Sequence, residues 1–472
     1  MTAPTDMPKA PPQSAWATIK ESLRGSDMDF TEGPIGRAVV LLAIPMVLEM
    51  SLESVFALVD IYFVSHLGAD AVTAVGLTEA MLAVIYSLAM GLAIAVTATV
   101  ARRWGEKDPE AASHAAAQGL LLGAGVALVL GTLGVMFAEP LLRLMGASPE
   151  VLALGLGYTR IMLGGEVTII LLFLLNAAFR GAGDPVIAMR VLWIANAINI
   201  VLDPLLIRGI GPFPEMGVTG AAVATTIGRG VGVLIALHAI TTPGNRLTVT
   251  RRHLRFDMEV ISGVLKLART ATLQFLIGTA SWIGLVRLLA TFGSTAVAGY
   301  TVAIRLVIFG ILPSWGLSNA AATMVGQALG AKKPDRADAA VWVASKYNLL
   351  FLGTLGALFV AFAPWLVSWF GNDPAVIEVA ARALRIVALG FPLYAFGMVL
   401  TQAFNGAGDT WTPTWLNFVV FWLFEIPLAW LLAKPLGFGI DGAFWAITVA
   451  FSALAGASWL VWRRGKWREA AV

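Results

Sequence analysis

The sequence predicts an all-α polytopic membrane protein of twelve transmembrane helices. They form two six-helix parallel repeats, related by a pseudo-two-fold along the membrane normal, around a central cleft. Three observations predict it. The 472 residues are 58% hydrophobic and only 13% charged. Apolar runs long enough to span a bilayer recur along almost the whole chain. The second half of the chain also echoes the first at a fixed shift.

Composition excludes several classes at once. A soluble globular protein carries about 25% charged residues, and half that charge cannot cover the surface of a water-soluble protein this large. The mean hydropathy of +0.80 agrees. There are no cysteines, which removes disulfides, thiolate metal sites and cysteine nucleophiles. The four histidines, His66, His114, His238 and His253, form no HxxxH pair, so zinc-peptidase chemistry has no ligands. A membrane-embedded enzyme would need a nucleophile, metal cluster or redox residue, and none is identifiable. No residue set here calls for a bound cofactor.

A spanning helix needs ~20 apolar residues. Spans 1 to 6 fall near 35–66, 70–102, 112–139, 149–179, 186–208 and 217–242. Spans 7 to 12 fall near 259–291, 295–329, 337–370, 375–405, 411–433 and 441–463. Residues 1–32 are polar and proline-bearing, lack the short apolar core of a signal peptide, and read as a cytoplasmic segment with one short surface helix. The lobes are then 33–243 and 258–464, joined by a basic cytoplasmic linker at 244–257 and followed by a tail at 465–472.

Orientation follows from the Lys/Arg bias of short loops. Lys20, Arg24 and Arg37 precede span 1, and Arg102, Arg103 and Lys107 follow span 2. Arg180 and Arg190 flank the turn after span 4, and Arg246, Arg251, Arg252 and Arg255 fill the linker. Lys332, Lys333, Arg336 and the terminal Arg463, Arg464, Lys466 and Arg468 complete that side. The alternate loops hold little beyond Arg143, Arg208 and Lys434. Both termini are therefore expected in the cytoplasm of a multi-pass plasma (inner) membrane protein. The pI near 9.2 is a topology signal, and nucleic-acid binding has no further support.

The repeat is explicit. Asn176-Ala-Ala-Phe-Arg-Gly-Ala-Gly-Asp184 returns as Thr401-Gln-Ala-Phe-Asn-Gly-Ala-Gly-Asp409, a shift of 225 from Gly181 to Gly406. The same shift carries Gly68 onto Gly293, Gly105 onto Gly330 and Pro109 onto Pro334. Further on, Gly217-Val-Thr-Gly-Ala221 returns as Gly439-Ile-Asp-Gly-Ala443, with the shift slipped to 222. Six spans per repeat give both halves one orientation, and parallel repeats place the substrate site between them. Two lobes in one chain already supply the cleft, so a monomer suffices.

Acidic residues inside apolar spans are costly and face the bundle interior or a wet cavity. They are Glu49, Glu53 and Asp60 on span 1, Glu166 on span 4, Asp203 on span 5 and Glu425 on span 11. At about 100° per residue, Glu49, Glu53 and Asp60 fall at roughly 0°, 40° and 20°, one narrow stripe. Asn199 and Asp203 are i, i+4 neighbours on one face of span 5. Asp60 and Asp203 each lie about six residues, roughly 9 Å, below the outer end of their spans. Tyr158 and Thr225 sit at a similar depth on descending spans, so all four can meet in the outer half of the first lobe. Two carboxylates in a poorly solvated site repel each other; the pair holds a proton, or a monovalent cation if amide and hydroxyl oxygens complete the shell. For Glu49 or Glu166 alone, a local hydrogen bond to Ser or Thr is the plain alternative. Arg287 and Arg305 lie inside second-half spans as possible counter-ions, with Arg287 placed to snorkel. Trp282 and Trp315 offer faces for a flat cation, although packing explains them equally well.

These residues resemble the multidrug and toxic compound extrusion (MATE) family over nearly the whole chain from about Gly33. The resemblance rests on Ile44-Pro45, Val59-Asp60 and Leu67-Gly68 in span 1 and on Asn176 to Asp184. It also rests on Asn199-Ile-Val-Leu-Asp-Pro204 and Val325-Gly-Gln-Ala-Leu-Gly330. It implies two six-helix lobes that export small amphiphilic or cationic organic compounds in exchange for protons or sodium ions. The Asp of span 1 with Asn-x-x-x-Asp of span 5 is similar to the DinF-like branch, which implies coupling at Asp60, Asp203, Asn199 and Tyr158, with Thr225 or Thr226 as the last oxygen. Span 7 (Gln274 to Gly278) and span 10 (Tyr394 to Met398) lack the acids of the branch with a second-lobe cation site. A substrate cavity is expected to draw on Glu49, Glu53, Asn176, Glu166, Gln274, Arg305 and Glu425. Cation-coupled efflux, with protons favoured, is the leading expectation. A lipid-linked-sugar flippase of the same superfamily is second; it normally has two more spans and a basic cleft, where this sequence predicts an acidic one.

Overall fold

The computed structural model describes residues 15–65, 67–371 and 373–472, without the side chains at 15, 57, 58, 60–62, 64 and 65. The chain is helical throughout its spans. An amphipathic helix α1 (Ala15–Arg24) precedes α2 (Ile35–Ser65), α3 (Ala69–Gly105) and α4 (Pro109–Leu144). Span 4 is two helices, α5 (Pro149–Gly164) and α6 (Glu166–Gly181), and α7 (Pro185–Arg208) and α8 (Val218–Thr241) complete the N-lobe. The C-lobe repeats the plan with α9 (Met258–Ala290), α10 (Ser294–Gly330), α11 (Pro334–Ser368), α12 (Pro374–Leu389) and α13 (Phe391–Ala407). Its fifth span is α14 (Trp411–Asn417), a π-helical stretch Phe418–Glu425 and α15 (Ile426–Ala433), and its sixth is α16 (Gly439–Arg463). Among the described residues, eleven spans are long and apolar enough to cross a bilayer as they stand; α12 and α13, bent by 59°, make a twelfth if taken as one span.

Helix starts follow local chemistry. Proline occupies the first turn of α4, α5 and α12, where its missing N–H costs nothing. Asp108, Ser148 and Asp373 precede them and accept from Ala111, Val151 and Ala375 backbone N–H groups. The breaks at Gly165 and Gly390, again 225 apart, bring the backbone against Thr226 and Thr448 of the sixth span in each lobe.

The lobes meet along α2 with α10 and α3 with α9. Glycines make this contact backbone to backbone, and they come in pairs 225 residues apart. A Cβ at Gly91 would lie 2.6 Å from the Thr272 backbone nitrogen, and one at Gly316 would lie 2.4 Å from the Met46 carbonyl. Deeper, a Cβ at Gly105 would reach 2.1 Å from the Gln327 carbonyl, and one at Gly330 2.1 Å from the Arg102 carbonyl. Arg102 and Gln327 are themselves 225 apart, so the pseudo-two-fold axis passes between them. Each also caps the opposite lobe: Gln327 donates to the Gly181 carbonyl (2.9 Å) and Arg102 to the Ala407 carbonyl (3.0 Å).

Residues 26–33 cross this same face, which carries both chain ends, and tie the two lobes together. Asp29 is paired with Lys107 of the N-lobe, while Lys333 and Arg336 of the C-lobe donate to the Thr31, Phe30, Glu32 and Gly33 carbonyls. Arg246 of the interlobe linker donates to the Ser26 and Met28 carbonyls and stacks on Phe30 and Trp104. Lys107 and Lys332, 225 apart, both take positive φ (62° and 58°), so the mirrored loops share one turn geometry.

Two outcomes are expected. Gly316→Ala should lower stability by about 1–3 kcal/mol through overpacking, whereas Gly456→Ala, which meets open space, should not; thermal melting in detergent checks both. Burial alone would raise the Asp29 carboxyl, but hydrogen bonds from Lys107 and Thr31 outweigh it and hold the group at about 2 against a usual 3.8. Its contribution is then fully present above pH ~4 and lost as pH falls toward ~2. Asp29→Asn should flatten that limb of the melting profile and leave neutral pH behaviour governed by other groups.

Candidate functional site

Between the lobes, beside the Gly91 and Gly316 contacts and above the Gly105–Gly330 crossing, lies a cavity of about 270 Å³. Glu49 and Glu53 of α2, Asn176 and Arg180 of α6, Asn196 of α7 and Arg229 of α8 supply its N-lobe polar wall. Phe275, Trp315, Asn319, Gln402 and Asn405 face them from the C-lobe. Phe275 and Trp315 rings sit 5.6 Å apart.

The charges are paired. Arg180 donates to Glu49 Oε1 at 3.2 Å, and both side chains are at least nine-tenths buried. The Asn196 amide donates to Glu53 Oε2 at 3.2 Å. Arg229 donates to the Tyr86 hydroxyl at 2.9 Å and lies over its ring. Two guanidiniums thus accompany two carboxylates, which corrects the expected acidic cavity. Arg180 also departs from its assignment as a loop charge. Side chains on a helix lean toward its N-terminus, so Arg180, on the last turn of α6, reaches back into the cavity. Arg229 was missed altogether; its place inside an apolar span was the available signal.

Four expected cavity residues lie elsewhere. Glu166 opens α6 immediately after the Gly165 break and is fully buried near Gly131 of α4. Gln274 is buried on α9; one residue on, Phe275 is turned by about 100° and takes the cavity face instead. Arg305 is exposed on the outside of α10. Glu425 is buried within the C-lobe core.

In the N-lobe, Asn199 and Asp203 occupy one buried face of α7, with Asp203 fully inaccessible. The Asn199 amide donates to the Thr225 hydroxyl at 2.9 Å. Thr226 donates instead to the Ala222 carbonyl and turns toward Gly165, so Thr225 is the threonine joined to Asn199. Tyr158 is buried in a cluster with Ile207 and Ala222, one turn from Asp203 and Thr225 respectively. Position 60 lies on α2, but the Asp60 side chain falls outside the described residues.

Two six-helix lobes closing on a polar cavity through glycine-paired helices define a secondary transporter, not an enzyme. The MatE family model matches residues 45–205 and again 271–431; the chain belongs to the MATE family of multidrug efflux transporters. It is 26% identical over 422 residues (89% of this chain, 91% of the relative) to the probable multidrug resistance protein YoeA of Bacillus subtilis (strain 168). It is 29% identical over 416 residues (87% and 89%) to a FAD transporter of Shewanella oneidensis. A solved MOP superfamily transporter from Pyrococcus furiosus Vc1, described as having a binding pocket whose reverse polarity suggests a different function, superposes with a TM-score of 0.87 at 28% identity. That match covers 93% of this chain and 97% of that one.

Removing one member of a buried ion pair strands the other, at about 3 kcal/mol. Glu49→Gln should therefore melt lower than the double variant Glu49→Gln/Arg180→Gln, and the double should approach the parent. Thermal unfolding of the three proteins checks the order.

Proposed function

We propose that the protein exports small amphiphilic or cationic organic compounds across the plasma (inner) membrane by cation-coupled antiport, with H⁺ as the coupling ion and Na⁺ as the alternative. Coupling is placed in the N-lobe, at Asp60, Asp203, Asn199, Tyr158 and Thr225, as in the DinF-like branch. The observation that supports this most is the fully buried Asp203 beside an Asn199 amide bonded to Thr225. A buried carboxylate requires a counter-charge or a proton, so its occupancy changes how α7 packs against α2. Protonation of Asp60 and Asp203 from outside neutralises the site, lets α2 bend at Pro45 and releases cargo outward. With the chain ends in the cytoplasm, the glycine crossing and the 26–33 strap seal the cytoplasmic side.

Arg180 and Arg229 favour a second reading of the cargo. An aromatic compound that also carries an anionic group would meet a guanidinium in the cavity, as would the compound for which the Shewanella oneidensis relative is named. In proteoliposomes, proton influx should drive export of a cationic dye by the parent chain. Asp60→Asn and Asp203→Asn should abolish that export while leaving membrane insertion intact; full export by either variant refutes the coupling site. FAD added as competitor in the same assay decides between the cargo readings.

A further inference from the structure

The repeat shift changes within the fifth span of each lobe. It is 225 at the start, from Asp184 to Asp409. At the far end, Met216 N–H donates to the Leu206 carbonyl (2.9 Å) and Phe438 N–H to the Leu432 carbonyl (3.1 Å). Likewise Gly220 abuts the backbone of Leu206 and Ile207, and Gly442 that of Leu432 and Ala433. Leu206 therefore corresponds to Leu432, a shift of 226. The C-lobe helix holds one more residue over the same length. A π-helical turn is how a helix absorbs an insertion, and the stretch Phe418–Glu425 is π-helical. Counted back from that end, Glu425 stands where Asn199 stands in the N-lobe.

Its surroundings are those of a site. Glu425 is 2% exposed; Phe421, four residues before it, packs 5.9 Å from Phe451, the ring on which Tyr394 of α13 is stacked, and Tyr300 of α10 lies in the same buried cluster. The Tyr300 ring is held parallel to Phe444, and the Tyr394 ring is stacked 4.1 Å from Phe451. The Tyr300 hydroxyl is buried with no hydrogen-bond partner among the described residues. Of the helices packed on the stretch, α9 turns Arg287 outward, and Asp441 of α16 is paired with Arg382 at 3.4 Å. No cation within ion-pair distance of Glu425 is found among the described residues. An isolated buried carboxylate is very costly, whereas a carboxylic acid is not. Two phenols also supply too few oxygens to replace the hydration shell of a metal cation. On α13, Tyr394, Met398 and Gln402 recur every fourth residue, and Gln402 lines the interlobe cavity, which links the two places along one helix face.

We propose that Glu425, with Tyr300 and Tyr394, forms a second proton-binding site, in the C-lobe, at the position that mirrors Asn199. A proton taken up on a Glu425 carboxylate oxygen leaves again as H⁺, so the C-lobe carries its own protonation step. Infrared pH-difference spectroscopy on the purified full chain in lipid nanodiscs tests it. The parent should show a carboxylic C=O band that titrates while the protein stays folded. Glu425→Gln should delete that band, and Glu166→Gln and Asp203→Asn should leave it in place. Tyr300→Phe should shift its frequency. A Glu425→Gln spectrum identical to the parent's overturns the site; if that variant does not insert, a band unmoved by Tyr300→Phe overturns it instead. The readout needs no transport. Full export by Asp60→Asn or Asp203→Asn with the band intact refutes only the N-lobe coupling scheme, and a parent that exports but shows no Glu425 band refutes only this site.

Discussion

The lobes of this transporter touch through main chain, and the remaining architecture is arranged around that contact. Within a bilayer, helices gain little by hiding apolar side chains from lipid that is equally apolar; close association depends on small residues that let backbones approach. Gly91 with Gly316 and Gly105 with Gly330 provide that approach twice over, on both sides of the pseudo-two-fold axis. The deeper pair, Gly105 with Gly330, closes the helices at the face that carries both chain ends. The cavity is consequently confined to the space on the other side of it, and Gln327 and Arg102 lock each lobe to a helix end of the other. The strap at residues 26–33 adds a second tie on the same face. It is built largely from backbone carbonyls that accept from Lys and Arg, so its geometry depends little on which side chains the strap itself carries.

The polarity of the cavity follows from helix direction as much as from residue type. Asn176 and Arg180 lie one turn apart on α6, and the lean of side chains toward the helix start brings the guanidinium up to Glu49. Buried ion pairs are weak sources of net stability because desolvation offsets attraction. The aromatic side, Phe275 and Trp315, comes from the other lobe. The charged side chains of the cavity and these two rings thus come from different lobes.

Much of this was legible in the chain. The twelve apolar runs coincide with the helical spans because bilayer thickness imposes a length that local sequence must satisfy. The fixed shift located the mirrored turns, from Gly105 and Pro109 after α3 to Gly330 and Pro334 after α10, and the backbone added the pairing of Lys107 with Lys332. The face shared by Asn199 and Asp203 was readable from their spacing. Three things were not. Arg180 counted as a loop charge because its backbone lies at the membrane boundary, and only its side-chain direction puts it in the cavity. Glu166 and Glu425 shared residue type and burial with Glu49, yet periodicity cannot say which neighbour covers a buried face. The Glu425 counterpart was hidden by the one-residue insertion, which an ungapped comparison cannot see.

By itself, the sequence determined the class of protein, the number of spans, the duplication and the intramembrane acids. Each of these follows from local composition or from one stretch matching another. The tertiary structure decided which charges meet, which threonine joins Asn199, and that the cavity carries guanidiniums as well as carboxylates. Those outcomes depend on helix rotation and on the glycine crossings, which are set by contacts between different helices, 26 positions apart for Asn199 and Thr225 and 131 for Glu49 and Arg180.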